Sequence, residues 1–291
     1  MVAGQSGLNK LITFLYLIIA GIINALIPNK YKTKKDVRGK LILITGAGQG
    51  MGLLFAEKFA ALGANLILWD ISEGNLKKAV EKCKQFKGTV SYQVVDVSEK
   101  EKVYAATDKI KKDYGCIDIL INNAGILYGK EFLELEEEAI EKLMKVNTFS
   151  NWWLIKAFLP EMIEQRSGHI VSLCSLAGFV GAPWLIDYSV SKFGVMALME
   201  GLRNELTMKG NTDIKTTIVV PNFVQTRMVD DLKICKGRPI LEPEFVVDRA
   251  IEAILLDQTI IMIPRTLYAL FYLKGILPTA AWDYFVSLHL S

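Results

Sequence analysis

Histidine is scarce in this chain of 291 residues, and its cysteines do not cluster. Two histidines, His169 and His289, leave a His-based metal cage or a Ser-His-Asp triad almost no material, so we expect no metal site. The four cysteines lie far apart in sequence: Cys83, Cys116, Cys174 and Cys235. Because no CxxC pair is present, the spacing argues against a disulfide framework and indicates a reducing compartment.

A net positive charge is also missing from most of the chain, although the formal net charge of the whole is +3. Residues 1–40 hold seven Lys or Arg against the single acid Asp36, which gives this segment +6 and leaves −3 for the rest. A slightly acidic body is a poor binder of nucleic acid. We therefore expect no nucleic-acid partner.

Hydrophobic residues make up 51% of the chain and charged residues 22%, which is typical of a globular protein with a sizeable core. The sequence predicts three parts. Residues 1–40 form a membrane anchor with a basic flank, residues 41–265 form the main domain, and residues 266–291 form an apolar surface or substrate-gate segment.

The N-terminal part contains an apolar run of 18 residues, Leu11 to Pro28, that carries no charge. At about 1.5 Å per residue, a helix of this length reaches roughly 27 Å, the short end of what crosses a bilayer. The basic cluster Lys30 to Lys40 follows the run, which disfavours a cleaved signal peptide and places the body on the cytosolic side. Crossing the bilayer and lying in one leaflet or on a lipid droplet both remain open.

The C-terminal stretch Leu267 to Leu290 is rich in aliphatic and aromatic residues, but Lys274, Pro278 and Asp283 interrupt it. A membrane-crossing helix needs a longer uninterrupted run. We therefore interpret this stretch as an amphipathic surface or substrate-gate element rather than a second span.

Between these ends, short aliphatic runs alternate with longer segments of helical periodicity, which predicts an α/β fold. Strands are expected near 41–45, 65–70, 89–95, 117–122, 169–174, 214–220 and 259–263. Helices are expected near 50–62, 74–86, 99–113, 136–148, 151–166, 187–208 and 243–256. The predicted architecture is a Rossmann-type, doubly wound, seven-stranded parallel sheet with helices on both faces, preceded by the hydrophobic helix. The irregular stretch Asn222 to Pro243 is a candidate lid.

A glycine-rich turn joins the first predicted strand to the first helix of the main domain and contains Thr45, Gly46, Gly50 and Gly52. Glycines there allow a tight turn and close approach of a pyrophosphate to the helix N-terminus. Asp70 ends the second strand, 20 residues beyond Gly50, where a carboxylate can bind the adenosine ribose and repel a 2′-phosphate. The Asp70 carboxylate therefore favours NAD over NADP as the cofactor.

Tyr188 and Lys192 are four residues apart, so they share one face of a helix. A free tyrosine has a pKa of about 10, and a nearby ammonium favours its phenolate, as a proton shuttle requires. Ser175 lies 13 residues upstream, at the end of the fifth predicted strand. Cys174 beside it has no base spaced for nucleophilic chemistry, and His169 is interpreted as a structural residue.

Together these motifs resemble the short-chain dehydrogenase/reductase family over residues 41–263. The motifs that carry the resemblance, in order and spacing, are TGxxxGxG at 45–52, Asn122-Asn123-Ala124-Gly125, Asn147, Ser175 and Tyr188-xxx-Lys192. The resemblance implies that Tyr188 is the general acid/base and that Ser175 orients and polarises the substrate oxygen. Lys192 would lower the pKa of Tyr188 and bind the nicotinamide ribose, and Asn147 would hold a water that relays protons.

The resemblance also implies a series of cofactor contacts: Thr45, Gly46, Gly50, Gly52, Asp70, Asp96, Val97, Asn123, Ala124, Gly125, Tyr188, Lys192, Pro221 and Thr226. Asp96 and Val97 match positions beside the adenine, and Thr226 matches the residue at the nicotinamide carboxamide. Asn222 departs from the family, which often has glycine after that proline. The departure concerns the nicotinamide pocket more than catalysis.

The anchor, the basic flank and motifs such as Leu68-Trp69-Asp70 resemble one membrane-associated subgroup, which contains epidermal-type retinol dehydrogenases and lipid-droplet 17β-hydroxysteroid dehydrogenases. This resemblance implies NAD-dependent oxidation of retinol, a hydroxysteroid or a similar lipid alcohol at the endoplasmic reticulum or a lipid droplet. It also implies a homodimer through the helices that hold Trp152 and residues 187–208. The alternatives are an NADP-dependent carbonyl reductase and a non-catalytic lipid-droplet or membrane binding protein.

Overall fold

The computed structural model describes residues 7–229, 232 and 240–290. Seven strands form one sheet in the order β3-β2-β1-β4-β5-β6-β7, and all six pairings are parallel. The strands are β1 Leu41–Thr45, β2 Asn65–Asp70, β3 Val90–Val94, β4 Ile119–Asn122, β5 Gly168–Leu173, β6 Ile214–Pro221 and β7 Ile260–Ile263. This sheet confirms the predicted doubly wound parallel architecture. The prediction was possible because parallel strands that are covered on both faces have nearly continuous apolar sequences.

Helices cover both faces of this sheet. Their bounds are α1 Gly7–Leu26, α2 Gly50–Ala61, α3 Glu73–Cys83, α4 Lys100–Tyr114, α5 Glu137–Met144, α6 Ser150–Glu164, α7 Ile186–Met208, α8 Pro243–Leu255, α9 Leu267–Ile276 and α10 Thr279–Leu290. Helices α2, α3 and α8 bury their apolar residues in the core on one face, and α4, α6 and α7 do so on the other. The sheet is therefore the middle layer of three.

The two helices predicted at 136–148 and 151–166 are one continuous helical segment. A π-helical turn, Lys145–Phe149, joins α5 directly to α6. π-helical turns are rare in proteins overall, but those that occur are often found at functional sites. The turn buries the polar Asn147 and Thr148 beside Val146 and leaves Phe149 exposed, so no apolar pattern in the sequence marks it.

The N-terminal helix α1 is the described helix that is long and apolar enough to cross a membrane, and none of its residues is buried. The segment after it is fixed to the C-terminal end of α8. Asn29 Nδ2 donates to Glu252 at 3.2 Å, and the Lys35 N–H donates to the Leu255 carbonyl at 2.8 Å. The Lys35 ammonium also pairs with Asp257 at 2.7 Å, so the end of α1 has a defined position on the main domain.

His169 starts the β5 ladder with β4 and is buried, which agrees with a structural role. Its Nε2 lies 2.8 Å from Thr217 Oγ1, and that hydroxyl donates to the Gln258 carbonyl at 2.6 Å. The network assigns the imidazole proton to Nε2, because Nδ1 meets the Lys35 ammonium. Burial lowers the pKa of His169 well below its usual range, and Lys35 lowers it further, so the ring is neutral.

The C-terminal stretch contains two helices, α9 and α10, because the chain becomes extended at Leu277 before Pro278. Tyr268 in α9 reaches the outer edge of β7, the last strand of the sheet. Its hydroxyl donates to the Ile260 carbonyl at 3.1 Å and accepts from the Met262 N–H at 3.4 Å. A side chain thus pairs with backbone groups that an edge strand leaves open.

The candidate lid is described only in part. Residues 230–231 and 233–239, which include Cys235, lie outside the described residues. The described flanks are joined, since the Leu241 N–H donates to the Phe223 carbonyl and the Gln225 N–H to the Leu241 carbonyl, both at 2.9 Å.

The neutral, buried His169 makes folding stability depend on pH. Below about pH 6.5 the unfolded chain binds a proton that the folded chain excludes, so the free energy of unfolding falls as pH decreases, by up to about 1.4 kcal/mol per pH unit. We expect His169→Gln to be less stable than wild type near neutral pH but to lose less Tm on acidification. Thermal unfolding between about pH 7.5 and 5.5 measures this. Equal losses in both proteins would contradict a neutral imidazole.

Candidate active site

The candidate site lies at the carboxyl ends of β1 and β4. Strands β2 and β3 lie on one side of β1, and β4 to β7 lie on the other. The chain therefore reverses its direction of winding between these two neighbours, which opens a crevice where α/β sheets bind ligands.

A glycine turn at the end of β1 forms one wall of this crevice. Gly46 has φ +63°, a conformation that favours glycine, and a Cβ on Gly52 would lie 2.0 Å from the Gly46 carbonyl oxygen. A side chain is therefore excluded at Gly52. Helix α2 begins at Gly50, so its N-terminus lies at the crevice. This cradle fits the pyrophosphate of a dinucleotide at a helix N-terminus.

Asn123 fixes the glycine turn to the end of β4. Its Nδ2 donates to the carbonyls of Thr45 at 2.9 Å and Gly46 at 3.2 Å. In return, the Thr45 hydroxyl accepts the N–H groups of Asn123 and Ala124, both at 3.1 Å. The Thr45-Gly46 and Asn123-Ala124 motifs predicted from sequence thus meet, and each satisfies the other's polar groups.

Asp70 closes the far end of the glycine turn. One carboxylate oxygen accepts the Gly48 N–H at 2.9 Å, and the other accepts the Ser72 N–H at 3.0 Å. The half-buried carboxylate is therefore held at the rim of the crevice, 22 residues from Gly48 along the chain.

Asp96 and Val97 follow β3, beyond Asp70. The Asp96 carboxylate pairs with Lys142 at 2.8 Å and accepts two hydrogen bonds from Ser98. Burial raises the pKa of Asp96, but the hydrogen bonds from Lys142 and Ser98 outweigh it and the net shift is downward. Val97 is buried in the core. In this structure their side chains are occupied by the protein itself.

Ser175 and Tyr188 line one cleft, and the Ser175 hydroxyl acts to lower the pKa of Tyr188. Ser175 immediately follows Cys174 at the end of β5, and its Oγ also accepts the Ala177 N–H at 3.2 Å. Tyr188 stands in the first turns of α7. The two predicted catalytic hydroxyls therefore point at one place. Burial raises the pKa of the Cys174 thiol to about 11, which disfavours it as a nucleophile.

Lys192 lies one helical turn beyond Tyr188 and is buried. Its Nζ is 5.5 Å from the centre of the Tyr188 ring and donates to the Leu173 carbonyl at 2.8 Å. The same amine is close to Gly125, where an added Cβ would lie 3.8 Å from it. Lys192 thus joins the β5 end, the β4 turn and Tyr188.

Burial governs the charges of this pair. It lowers the pKa of Lys192 and raises the pKa of Tyr188, while the hydrogen bond from Ser175 acts in the opposite direction on Tyr188. The protein alone therefore favours the neutral phenol. The lowering of the Tyr188 pKa by Lys192 stays a prediction, since the causes that act on this pKa here are burial, Cys174 and Ser175.

Asn147 stands in the π-helical turn and is fully buried. Its side chain makes a two-way bond with Ile126, accepting the N–H at 2.8 Å and donating to the carbonyl at 2.9 Å. It also donates to Ser191 Oγ at 3.0 Å, and Ser191 donates to the Tyr188 carbonyl at 2.7 Å. Sequence reasoning gave Ser191 less weight as an alternative hydroxyl. Its place between Tyr188 and Lys192 was the available signal.

An apolar cleft of about 110 Å³ opens beside Ser175 and Tyr188. The segment between these two residues lines it with Leu176, Ala177, Val180, Ala182 and Leu185. Residues after β6 form the opposite wall, and they include Pro221, Asn222 and Thr226. The Thr226 methyl is 3.9 Å from the position of a Cβ on Gly50, so this wall reaches the glycine turn. The cleft suits an apolar guest with one polar group.

Helix α9 packs against the cleft from outside, within the segment predicted to be an apolar surface or substrate-gate element. Lys274 Nζ donates to the Phe179 carbonyl at 2.6 Å, and the rings of Phe271 and Phe179 pack edge to face at 4.9 Å. Phe179 lies between the cleft-lining residues Ala177 and Val180.

The comparisons with known proteins agree with this geometry. The family model of the short chain dehydrogenases matches residues 40–235. Epidermal retinol dehydrogenase 2 of Homo sapiens is 42% identical over 271 residues, 91% of this chain and 85% of that protein. Estradiol 17-beta-dehydrogenase 11 of Pongo abelii is 41% identical over 247 residues, 85% of this chain and 82% of that protein.

Two solved structures share the fold. A short chain dehydrogenase/reductase from Burkholderia phymatum in complex with NAD has a TM-score of 0.75 and 28% identity, and covers 83% of this chain and 94% of its own. A short-chain dehydrogenase from Sphingobium yanoikuyae in complex with NADPH has a TM-score of 0.72 and 25% identity, with 83% and 97% covered. This chain belongs to the short chain dehydrogenase family and is an oxidoreductase with a site for a nicotinamide cofactor.

The close approach at Gly52 predicts that one methyl group disrupts the glycine turn. In Gly52→Ala the Cβ meets Gly46 O at 2.0 Å and Asn123 Nδ2 at 2.6 Å, so we expect a loss of at least about 3 kcal/mol of stability and loss of NADH binding. Gly74→Ala is the matched control, since nothing lies within 4 Å of its Cβ. Thermal unfolding and NADH fluorescence titration measure both. Cofactor binding by Gly52→Ala at wild-type affinity would contradict the cradle.

Proposed function

We propose that this enzyme oxidises a lipophilic alcohol with NAD, with a retinol, a hydroxysteroid or a similar lipid alcohol as substrate. The observation that carries the proposal is the apolar cleft that both Ser175 and Tyr188 line, with the Lys192 amine 5.5 Å from the centre of the Tyr188 ring. The names of the relatives, a retinol dehydrogenase and an estradiol dehydrogenase, point to the same substrate class.

In the proposed mechanism, Ser175 and Tyr188 bind the substrate hydroxyl and hold its carbon at the cofactor side of the cleft. Tyr188 accepts the hydroxyl proton during oxidation and donates it during reduction. When bound, the nicotinamide cofactor supplies the hydride acceptor. Lys192, close to Gly125, binds the ribose and acts on Tyr188 electrostatically. The apolar walls exclude water from these groups.

The polar bonds behind Tyr188 hold its backbone carbonyl and the Asn147 amide in place. Asn147 is bonded to Ile126 and to Ser191, and Ser191 is bonded to the Tyr188 carbonyl. The proposed role of Asn147 is to hold a water beside Lys192. Its bonds to Ile126 support this role, because they fix the amide next to the Lys192 amine.

The preference for NAD rests on Asp70. Its carboxylate is held by the Gly48 and Ser72 amides at the adenosine end of the crevice. Carboxylate oxygens accept hydrogen bonds from ribose hydroxyls and repel a 2′-phosphate. Asp96, Val97 and Thr226 complete the proposed cofactor contacts.

We further propose that α1 attaches the enzyme to the endoplasmic reticulum membrane or a lipid droplet, with the catalytic domain facing the cytosol. Helix α1 has the length and composition of a membrane helix, and the basic segment up to Lys40 follows it. A homodimer is proposed through α6 and α7, where Trp152, Val190 and Phe193 are exposed apolar side chains.

The first test is NAD-dependent oxidation of a panel of retinols and hydroxysteroids by membranes that carry the full chain. Tyr188→Phe should lower kcat by about 10²-fold to 10⁴-fold, because the proton acceptor is lost, with NADH affinity unchanged. Tyr114→Phe, on the surface of α4, is the control and should keep full activity.

Turnover unchanged in Tyr188→Phe would contradict the mechanism. NADH binding without turnover of any alcohol by the wild type would contradict the proposed reaction and favour a binding protein.

The role of Asp70 gives a separate prediction. Asp70→Asn keeps an oxygen for the Gly48 amide but removes the negative charge, so the ratio of NADPH to NADH affinity should rise about tenfold, or roughly 1.4 kcal/mol. Fluorescence titration measures it, and Asp113→Asn on the surface of α4 should leave the ratio unchanged. Wild type that binds NADPH more tightly than NADH would overturn the preference and favour the NADP-dependent reductase.

A further inference from the structure

We propose that α9 and α10 form a second lipid contact, on the same membrane or droplet surface that α1 enters. This inference rests on the proposed attachment through α1. It adds a surface that holds the cleft wall against the lipid in which the substrate dissolves.

Both helices expose large apolar side chains one turn apart. Tyr272 and Ile276 of α9 are 65% and 79% exposed, and Tyr284 and Leu288 of α10 are 66% and 59% exposed. Residues at i and i+4 share one helix face, so each helix presents a continuous apolar stripe. Contiguous exposed apolar surface of this kind marks a site of contact with a partner or a membrane.

The chemistry of these stripes favours a lipid interface as the occupant. From 267 to 290 the Lys, Arg, Asp and Glu residues are Lys274 and Asp283 alone, and the Lys274 amine is bonded to the Phe179 carbonyl. Tyrosines flanked by aliphatic side chains are typical of the membrane–water boundary, where the ring is buried and the hydroxyl is hydrated.

The position of α9 relative to α1 supports the same occupant. The end of α1 and the start of α9 border one cavity beside the edge strand β7, with Ala25 and Pro28 on one side and Arg265 and Tyr268 on another. The chain that leaves the proposed lipid contact of α1 therefore passes next to α9. A membrane or droplet surface that α1 enters is therefore close enough for α9 to contact it.

The contact also reaches the substrate cleft. Phe271 packs on Phe179, Lys274 bonds to its carbonyl, and the neighbours Ala177 and Val180 line the cleft. A lipid contact by α9 thus places this wall at the surface of the membrane, so an apolar alcohol can enter without crossing bulk water.

Four tyrosines give a matched test in the full chain. Tyr16 in α1, Tyr272 in α9 and Tyr284 in α10 are exposed. Tyr114 is equally an exposed tyrosine but ends α4, which is not one of the proposed lipid-contacting helices, so it is the control. Each is replaced in turn by photoreactive p-benzoylphenylalanine. The proteins are placed in phosphatidylcholine vesicles that contain a small fraction of alkyne-tagged phosphatidylcholine, then irradiated, and the tag on the protein is quantified.

We expect strong lipid labelling from Tyr16, Tyr272 and Tyr284. The yield at the two C-terminal positions should exceed that at Tyr114 at least about tenfold, which corresponds to about 1.4 kcal/mol of preference for lipid. Labelling from Tyr16 alone would overturn the second contact and leave the attachment through α1 intact. Labelling from none of these three would overturn both.

Two further outcomes also oppose the inference. Cross-links from Tyr272 and Tyr284 to a second copy of the chain would make this face a protein interface, and equal labelling at Tyr114 would make the contact unselective. The activities of Tyr188→Phe and of its control Tyr114→Phe are measured in a separate assay. Failure of the lipid contact and failure of the proposed reaction are therefore distinguishable.

Discussion

The close meeting of the β1 and β4 ends is the constraint on which the site depends. The Thr45 hydroxyl and the Asn123 amide satisfy one another's backbone, and Gly52 leaves no space between its own Cα and the Gly46 carbonyl. The cradle for phosphate and the turn that contacts Lys192 are therefore parts of one unit. Any shift of β4 against β1 would move the glycine turn and the proposed catalytic Lys192 together.

Buried polar bonds extend this unit to the catalytic helix. Lys192 is bonded to the end of β5, and Asn147 joins the β4 turn to Ser191 on α7. Because buried polar groups without partners are costly, these bonds keep α7 in one register against the sheet. Tyr188 takes its position from that register and from the packing of its ring against Ala182 and Leu185.

The sequence predicted the sheet and the meeting of Ser175, Tyr188 and Lys192, because apolar strand runs and the carboxyl ends of parallel strands follow from local pattern and fold geometry. It did not predict the π-helical turn at Asn147, because the turn buries the polar Asn147 and Thr148 beside Val146 and so has no apolar pattern of its own. Nor did it predict that Lys274 bonds to Phe179, 95 residues away, since nothing in either local segment marks the other as its partner. The opposing effect of burial on Tyr188 also depends on packing that residue spacing does not contain.

The hydroxyl of Tyr268 covers backbone groups on the exposed edge of β7. Where copies of a chain meet at a high local concentration, an open strand edge is a ready template for uncontrolled sheet growth. Here a neighbouring strand would have to displace Tyr268 from the Ile260 carbonyl and the Met262 amide before it could pair. The same short helix that supports the substrate cleft thus protects the sheet from polymerisation.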